Sequence, residues 1–307
     1  MRRDQQAGSG KRTSFYQEIT DKIVAELEQG RVPWVQPWGA VKTALALPQN
    51  AATGRTYTGI NILILWDAAI ARGFATNQWL TYRQALGLGG HVRSGERGTT
   101  VFYADRFVPR SERERAAEAG EEPEAIPFLK RFTVFNVVQC DGLPEQMAGN
   151  PPARSEQDVV PDAEALITAT GADFRIGGAE AVYVPSGDFI RVPPQAAFFA
   201  PIDYYRTCFH ELGHWTGHKS RLNRDQSGTT YTSSGSALYA REELVAEMAS
   251  AFVCAALGIV PTVRHADYLG SWLAVLREDN RAIFCAASAA SKAADYLLAC
   301  RSAGAAA

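Results

Sequence analysis

His210-Glu211-Leu212-Gly213-His214 places two imidazoles four residues apart, with a carboxylate between them. On a helix, positions i and i+4 share a face, so both rings can reach one metal ion. Glu211 then stands beside the first ligand as the general base for water at the ion's open coordination position. The run from Pro201 to Gly217 suits a helix: Ile202, Tyr205, Phe209 and Leu212 recur at helical spacing, and Gly213 leaves room beside the second imidazole. The chemistry such a set performs is hydrolysis assisted by one Zn²⁺ per chain, or by another divalent ion in its place. The plainer alternative is a buried helix that carries two histidines for packing.

A catalytic zinc takes three protein ligands and keeps one position open. The longer pattern H-E-x-x-H-x-x-G-x-x-H holds as far as Gly217 and fails at Ser220. His218 lies four residues past His214, but Gly217 ends the helix, which makes it a polar residue beyond a helix end. The better third ligand lies in the Ala-rich run from Tyr239 to Phe252. There Glu243 and Glu247 are one helical turn apart beside the apolar stripe, whereas Glu242 points to solvent. Two carboxylates on a largely apolar helix are costly to bury without a cation. Glu243 is therefore assigned as ligand, and Glu247 as the acceptor that fixes the tautomer of a liganding histidine. A carbonyl oxygen in the transition state needs a further donor. Tyr239, Tyr231, His218 and Arg241 are all candidates. This set suits a carbonyl substrate better than a phosphodiester, since nucleases tend to gather several carboxylates around paired metals.

Around this motif, 307 residues with 46% hydrophobic content can hold two cores. The net charge of −2 advertises no polyanion partner for the chain as a whole. Five cysteines without a C-x-x-C pair read as reduced thiols of a cytoplasmic protein. No apolar run of transmembrane length and no leader-like h-region stand out, so no membrane partner is expected. Residues 1–12 read as a disordered arm. The expected fold class is α+β in two domains: an α+β domain over residues 1–145 and a mostly helical domain with a small sheet over 159–307. A linker spans 146–158, and a charged, Pro-bounded, flexible insertion spans 109–127. Helices are expected at 14–29, 59–73 and 81–86, then after Asp162, through the metal motif, around Glu243, and in two later segments, the last at 279–300. Strands are expected near 99–108, 133–139, 181–184 and 189–192.

The first 110 residues hold 14 Lys and Arg against 8 Asp and Glu, a balance of +6. Trp34, Trp38, Tyr57, Trp79 and Tyr82 interleave there with Lys42, Arg55, Arg83, Arg93 and Arg97. Rings that stack on bases, beside cations that follow phosphates, suit single-stranded nucleic acid. Against this, tryptophans usually sit in cores.

Two sets of residues carry a family resemblance. Glu243-x-x-Ala246-Glu247 after H-E-L-G-H is similar to the gluzincin arrangement of ImmA/IrrE-type metallopeptidases. The longer runs F-H-E-L-G-H-W-T-G-H-K-S-R-L-N-R (Phe209 to Arg224) and Y-A-R-E-E-L-V-A-E (Tyr239 to Glu247) resemble the C-terminal domain of ArdC-type antirestriction proteins. Ser14 to Gly30, P-W-x-x-P-W at Pro33 to Trp38, T-G-R-x-Y-x-G-I-N at Thr53 to Asn61, W-L-T-Y-x-Q-A at Trp79 to Ala85 and G-E-R-G-T-x-V at Gly95 to Val101 resemble the N-terminal domain of that family. The resemblance implies a single-stranded-DNA-binding domain, similar to the N-terminal part of TraC-type plasmid primases, joined to a zincin-like peptidase domain. It implies protection of incoming plasmid or phage DNA from host restriction. The implied partners are single-stranded DNA, with double-stranded DNA as a further one, and an unidentified host protein substrate. Two other readings stand beside it: a DNA-binding shield whose metal domain is structural or inactive, and a protease acting on DNA-bound proteins.

Overall fold

The computed structural model describes residues 14–35, 45–147, 155–224, 236–262 and 268–304. The fold is α+β. Its N-terminal part begins with α1 (Phe15–Glu28), capped by the Ser14 hydroxyl, which accepts from the Gln17 N–H. Next come β1 (Gln49–Asn50), α2 (Ile60–Ala71), β2 (Gln78–Thr81), α3 (Tyr82–Gly87), β3 (His91–Val92) and β4 (Thr99–Phe107). After α4 (Arg110–Ala119), the strands β5 (Ile126–Asn136) and β6 (Cys140–Asp141) complete this part. The main sheet runs β1-β2-β5-β4, with β4 and β5 forming a long antiparallel hairpin. β3 pairs with β6 in a small second sheet.

The segment expected as a flexible insertion departs from that expectation. Residues 110–119 form a helix at the tip of the β4–β5 hairpin. Arg115 pairs with Glu112 one turn away and with Glu121, Ala116 is buried, and Gly120 ends the helix at φ 67°. High charge content signalled solvent exposure, not lack of structure.

α2 is apolar almost all round, and its two faces explain why. Leu65, Ala68 and Ala69 pack on Phe74, Trp79, Val101 and Val134 beneath the sheet. Ile60, Ile62, Leu63 and Trp66 face the other way, into the core of the C-terminal part. A helix apolar on every face is a buried helix. α1 sends Ile23 and Leu27 into the same core, and Val32 and Trp34 follow.

The C-terminal part opens with α5 (Glu156–Thr170). It starts earlier than expected and carries Pro161 inside it, so part of the expected 146–158 linker is helical. β7 (Asp173–Ile176), which was not expected, pairs parallel to β9 (Phe189–Val192), and β8 (Val182–Val184) pairs antiparallel on its other side. Then come α6 (Pro201–Trp215), α7 (Ala237–Leu257), α8 (Leu269–Glu278) and α9 (Ala282–Gly304). α7 is buried along nearly its whole length, between α6 and α9. α9 is long and apolar enough to cross a membrane over Ala282–Arg301, contrary to the expectation that no such run exists. Alanine supplies much of that apolarity. Ala286, Ala287, Ala290, Ala293 and Ala294 are buried in the main core, where small side chains let α9 lie close to α7.

Contacts cross between the two parts at several points. Trp34 meets Trp272 edge-on at 5.5 Å, and Trp66 meets Phe252 at 5.7 Å. The Thr20 hydroxyl donates to the Asn280 carbonyl at 2.8 Å, and the Gly59 N–H donates to Ser291 Oγ at 2.7 Å.

Candidate metal centre

α6 is buried on the face that carries both histidines, and the two rings stack edge-on one turn apart, with Nε2 atoms 3.2 Å from each other. α7 crosses α6 at Gly213. A side chain there would meet the Ala246 backbone at 3.1 Å, so glycine lets the helices approach at that point. One turn before the crossing, Glu243 reaches the histidines. Its Oε2 lies 3.4 Å from His210 Nε2, and its Oε1 lies 3.4 Å from His214 Nε2.

Four tetrahedral bonds of about 2.0–2.1 Å put ligand atoms about 3.3 Å apart. The two imidazoles meet that spacing, each faces one of the two Glu243 oxygens at it, and one ligand atom from each of the three residues lies within 4.8 Å of the others. Glu243 Oε2 is buried and accepts no well-aligned hydrogen bond. Glu211, Glu242, Glu243 and Glu247 are all buried within two adjacent helices. A group this rich in buried carboxylate is costly unless a cation joins it. The residues present therefore fit a divalent ion held by His210, His214 and Glu243.

Electrostatics follow from this crowding. Burial works to raise the Glu243 carboxyl, but the facing His214 and His210 rings outweigh it and hold it well below the usual carboxylate range. Burial works to lower both histidines, yet the carboxylates win. Glu243 and Glu247 lift His210, while Glu243 and Glu242 lift His214 well above the ordinary value. Without an ion, then, both histidines hold a proton more tightly than a free imidazole does, and an ion must compete with it. Metal affinity should keep rising as pH climbs past about 6.5, the ordinary histidine value. Chelator competition from roughly pH 6 to pH 9 checks this, and an affinity flat across that whole range would contradict it.

The structure brings His210, Glu211, His214, Glu243 and Glu247 together. Glu211 follows His210 on α6 and is 5% exposed. Glu247 Oε1 lies 3.8 Å from His210 Nδ1. The Tyr239 hydroxyl sits 2.8 Å from the Tyr268 hydroxyl and beside Glu243. Burial, and then the Glu243 charge, push its titration far up, so it stays a proton donor. Two of the other candidate donors point elsewhere: Arg241 pairs with Asp279 at 3.0 Å, and His218 bonds Ser220 at 2.8 Å. Tyr231 lies outside the described residues.

The expectation that Glu242 faces solvent is corrected. It is 6% exposed, with Oε1 3.4 Å from His214 Nδ1, and it pairs with Arg224 at 2.7 Å. Helical periodicity missed this because the wet side of the first turns of α7 carries Ala237, Leu238 and Arg241, whereas Glu242 turns inward to His214 and Arg224. Arg224, also missed, carried no signal of its own.

The expected nucleic-acid residues divide sharply. Trp34 and Trp79 are fully buried, Trp34 against Trp272 and Trp79 against Phe74, so neither ring offers a face to a base. Their large apolar area is better used in the core. Tyr57 is half-buried against the core that contains Trp79. Arg93 is paired with Glu96 at 2.7 Å and Asp141 at 3.3 Å. Arg55, Tyr82, Arg83 and Arg97 are exposed. Asn50 and Gln84 exchange amide hydrogen bonds of 3.0 and 3.2 Å, which brace the turn before Arg55 against the helix that carries Tyr82 and Arg83. Trp38 and Lys42 lie outside the described residues. Tyr103 and Phe132, on one face of the β4–β5 hairpin, are exposed aromatics that the N-terminal composition did not single out.

Comparisons with known proteins match the chain in two regions. Residues 13–135 match the N-terminal domain of anti-restriction factor ArdC, and residues 161–289 match a zincin-like metallopeptidase family. Uncharacterized protein y4eC of Sinorhizobium fredii (strain NBRC 101917 / NGR234) is 40% identical over 289 residues, which is 93% of this chain and 92% of that one. DNA primase TraC of Escherichia coli is 38% identical over 300 residues, but these make up 27% of its length. The crystal structure of the antirestriction ArdC protein from the R388 plasmid is 40% identical, with a TM-score of 0.76 over 94% of this chain and 98% of that one. That protein has been solved both metal-free and with Mn(II) bound.

Proposed function

The chain belongs to the ArdC-type antirestriction family, and from that premise we propose that it binds single-stranded DNA and carries a metal-dependent peptidase site that serves antirestriction. The observation that carries the peptidase half is the convergence of His210, His214 and Glu243 at 3.2–3.4 Å with Glu211 buried beside them. A divalent ion in that set, zinc by the chemistry of two imidazoles and a carboxylate, supplies Lewis acidity for a carbonyl. Glu211 takes the proton from the attacking water and delivers it to the departing amine nitrogen. Tyr239, held protonated, donates its O–H to the carbonyl oxygen as negative charge develops there. Glu247 orients His210 through Nδ1.

On the DNA side, the described expected residues that are exposed and outside the Arg93 ion pairs are Arg55, Tyr82, Arg83 and Arg97. Cations on this surface follow phosphates, and Tyr82 stacks on a base. Fluorescence titration of oligo-dT with the full chain tests this. Removing one phosphate-binding cation should make the log–log salt slope shallower by about 0.7. Arg55→Ala and Arg83→Ala should show that change, whereas Tyr82→Ala should weaken binding at an unchanged slope. Unchanged binding by all three would move the DNA surface elsewhere, and no binding by wild type would remove the DNA half. Glu211→Gln should keep metal and fold while cleaving no host protein that wild type cleaves.

A second reading keeps the DNA binding and makes the ion structural. The deep burial of all three ligand residues favours it, since structural sites are closed and catalytic ones keep an open position.

A further inference from the structure

We infer that Arg224 is a positioning residue for the metal centre, acting through Glu242 on His214. The inference rests on the metal reading of the site but not on peptidase activity. The Arg224 guanidinium forks onto Glu242, donating to Oε1 at 2.7 Å and to Oε2 at 3.3 Å. The same group donates to the Gly213 carbonyl at 2.7 Å and to Thr216 Oγ1 at 2.8 Å. Glu242 Oε1, held this way, faces His214 Nδ1 at 3.4 Å.

A carboxylate at that atom accepts the Nδ1–H and leaves the Nε2 lone pair directed at Glu243 and His210, where an ion would sit. Glu247, also on α7, stands farther from His210 Nδ1, at 3.8 Å, so Glu242 is the carboxylate within hydrogen-bond distance of a histidine Nδ1. Glu242 differs in lying within an arginine fork. A buried carboxylate without that partner would be left uncompensated and free to turn away from Nδ1. The fork also ties the last turn of α6 to the start of α7, because Gly213 and Glu242 accept from one guanidinium nitrogen. Arginine suits this role because its planar donors fix two acceptors at once, which an ammonium does not do.

The test is zinc affinity by chelator competition on the full chain, with thermal unfolding of the metal-free variants as a check on the fold. Arg224→Met and Glu242→Gln should each weaken zinc by about 10–100-fold, the usual cost of removing a group that orients a ligand. The double variant should lose no more than the weaker of the two singles, because both act through one chain of interactions. Thr216→Val, which removes the Arg224 hydrogen bond at the helix end but leaves the fork, should bind zinc as wild type does. Wild-type affinity in Arg224→Met would overturn the inference. Losses that add in the double variant would assign Arg224 to the helix end and overturn it too. If Arg224→Met does not fold, Arg224→Lys decides: it keeps the charge and removes the fork, so zinc affinity should still fall, and wild-type affinity there counts against the inference. A wild-type chain that binds no zinc would instead sink the metal reading itself.

Discussion

Replacing Glu243 with alanine should cost the chain its metal. Three side chains offer ligand atoms within 4.8 Å of one another, and Glu243 alone among them brings a negative charge. Its removal leaves two imidazoles, whose nitrogens 3.2 Å apart repel when both are protonated. The loss of zinc affinity should exceed the 10–100-fold expected for Glu247→Gln, which removes only an orienting carboxylate. Affinity is the proper readout, not stability. The metal-free variant also sheds a buried carboxylate and its desolvation cost, so its unfolding temperature mixes two effects. In wild type, ligand linkage gives a second check: metal at 100 times its dissociation constant should stabilise the fold by about 2.7 kcal/mol, and a chelator should remove that gain. Full metal occupancy in Glu243→Ala would place the third ligand elsewhere.

A fragment ending at residue 145 should fail to fold cooperatively. Domain lengths in the sequence suggest a self-contained N-terminal unit, but the structure shares its core across the boundary. Ile23, Leu27, Trp34, Ile60, Leu63 and Trp66 are buried in one core with C-terminal residues, Trp34 against Trp272 and Trp66 against Phe252, and would lose that cover. At about 1.5–3 kcal/mol for each large apolar side chain, the loss is on the order of 10 kcal/mol, as large as the whole stability of an ordinary domain. α2 would expose one entire apolar face. The fragment should bind a hydrophobic dye and show no sharp thermal transition, whereas the full chain should melt sharply. A sharp transition in the fragment at the full chain's temperature would contradict the shared core. DNA binding is accordingly a property to measure on the whole chain.

These two results divide along what the sequence could convey. The metal set was legible because its spacing is local: three residues on one helix, with a carboxylate on the apolar side of another. The start of the first helix was legible for the same reason, as Ser14 caps α1. What could not be read were properties set by distant packing. Glu242 looked solvent-facing because periodicity does not say which side of a helix is wet, and at that turn Leu238 and Arg241 take the outside while Glu242 meets the distant Arg224. Trp34 and Trp79 looked like stacking platforms because composition does not say which rings are covered. The charged stretch after residue 109 looked flexible because its ion pairs join residues that composition treats as solvated singles.

The central claim is that the buried metal set performs chemistry in the service of antirestriction. Transfer of a conjugative plasmid into restricting and non-restricting recipients tests it most directly, with wild type compared against Glu211→Gln. Metal content should be equal in the two proteins, because Glu211 is not a ligand in this arrangement. Wild type should raise transfer into the restricting recipient and leave the other unchanged, while Glu211→Gln should protect no better than an empty control. Equal protection by wild type and Glu211→Gln would contradict the account and leave a DNA-binding shield with a structural ion.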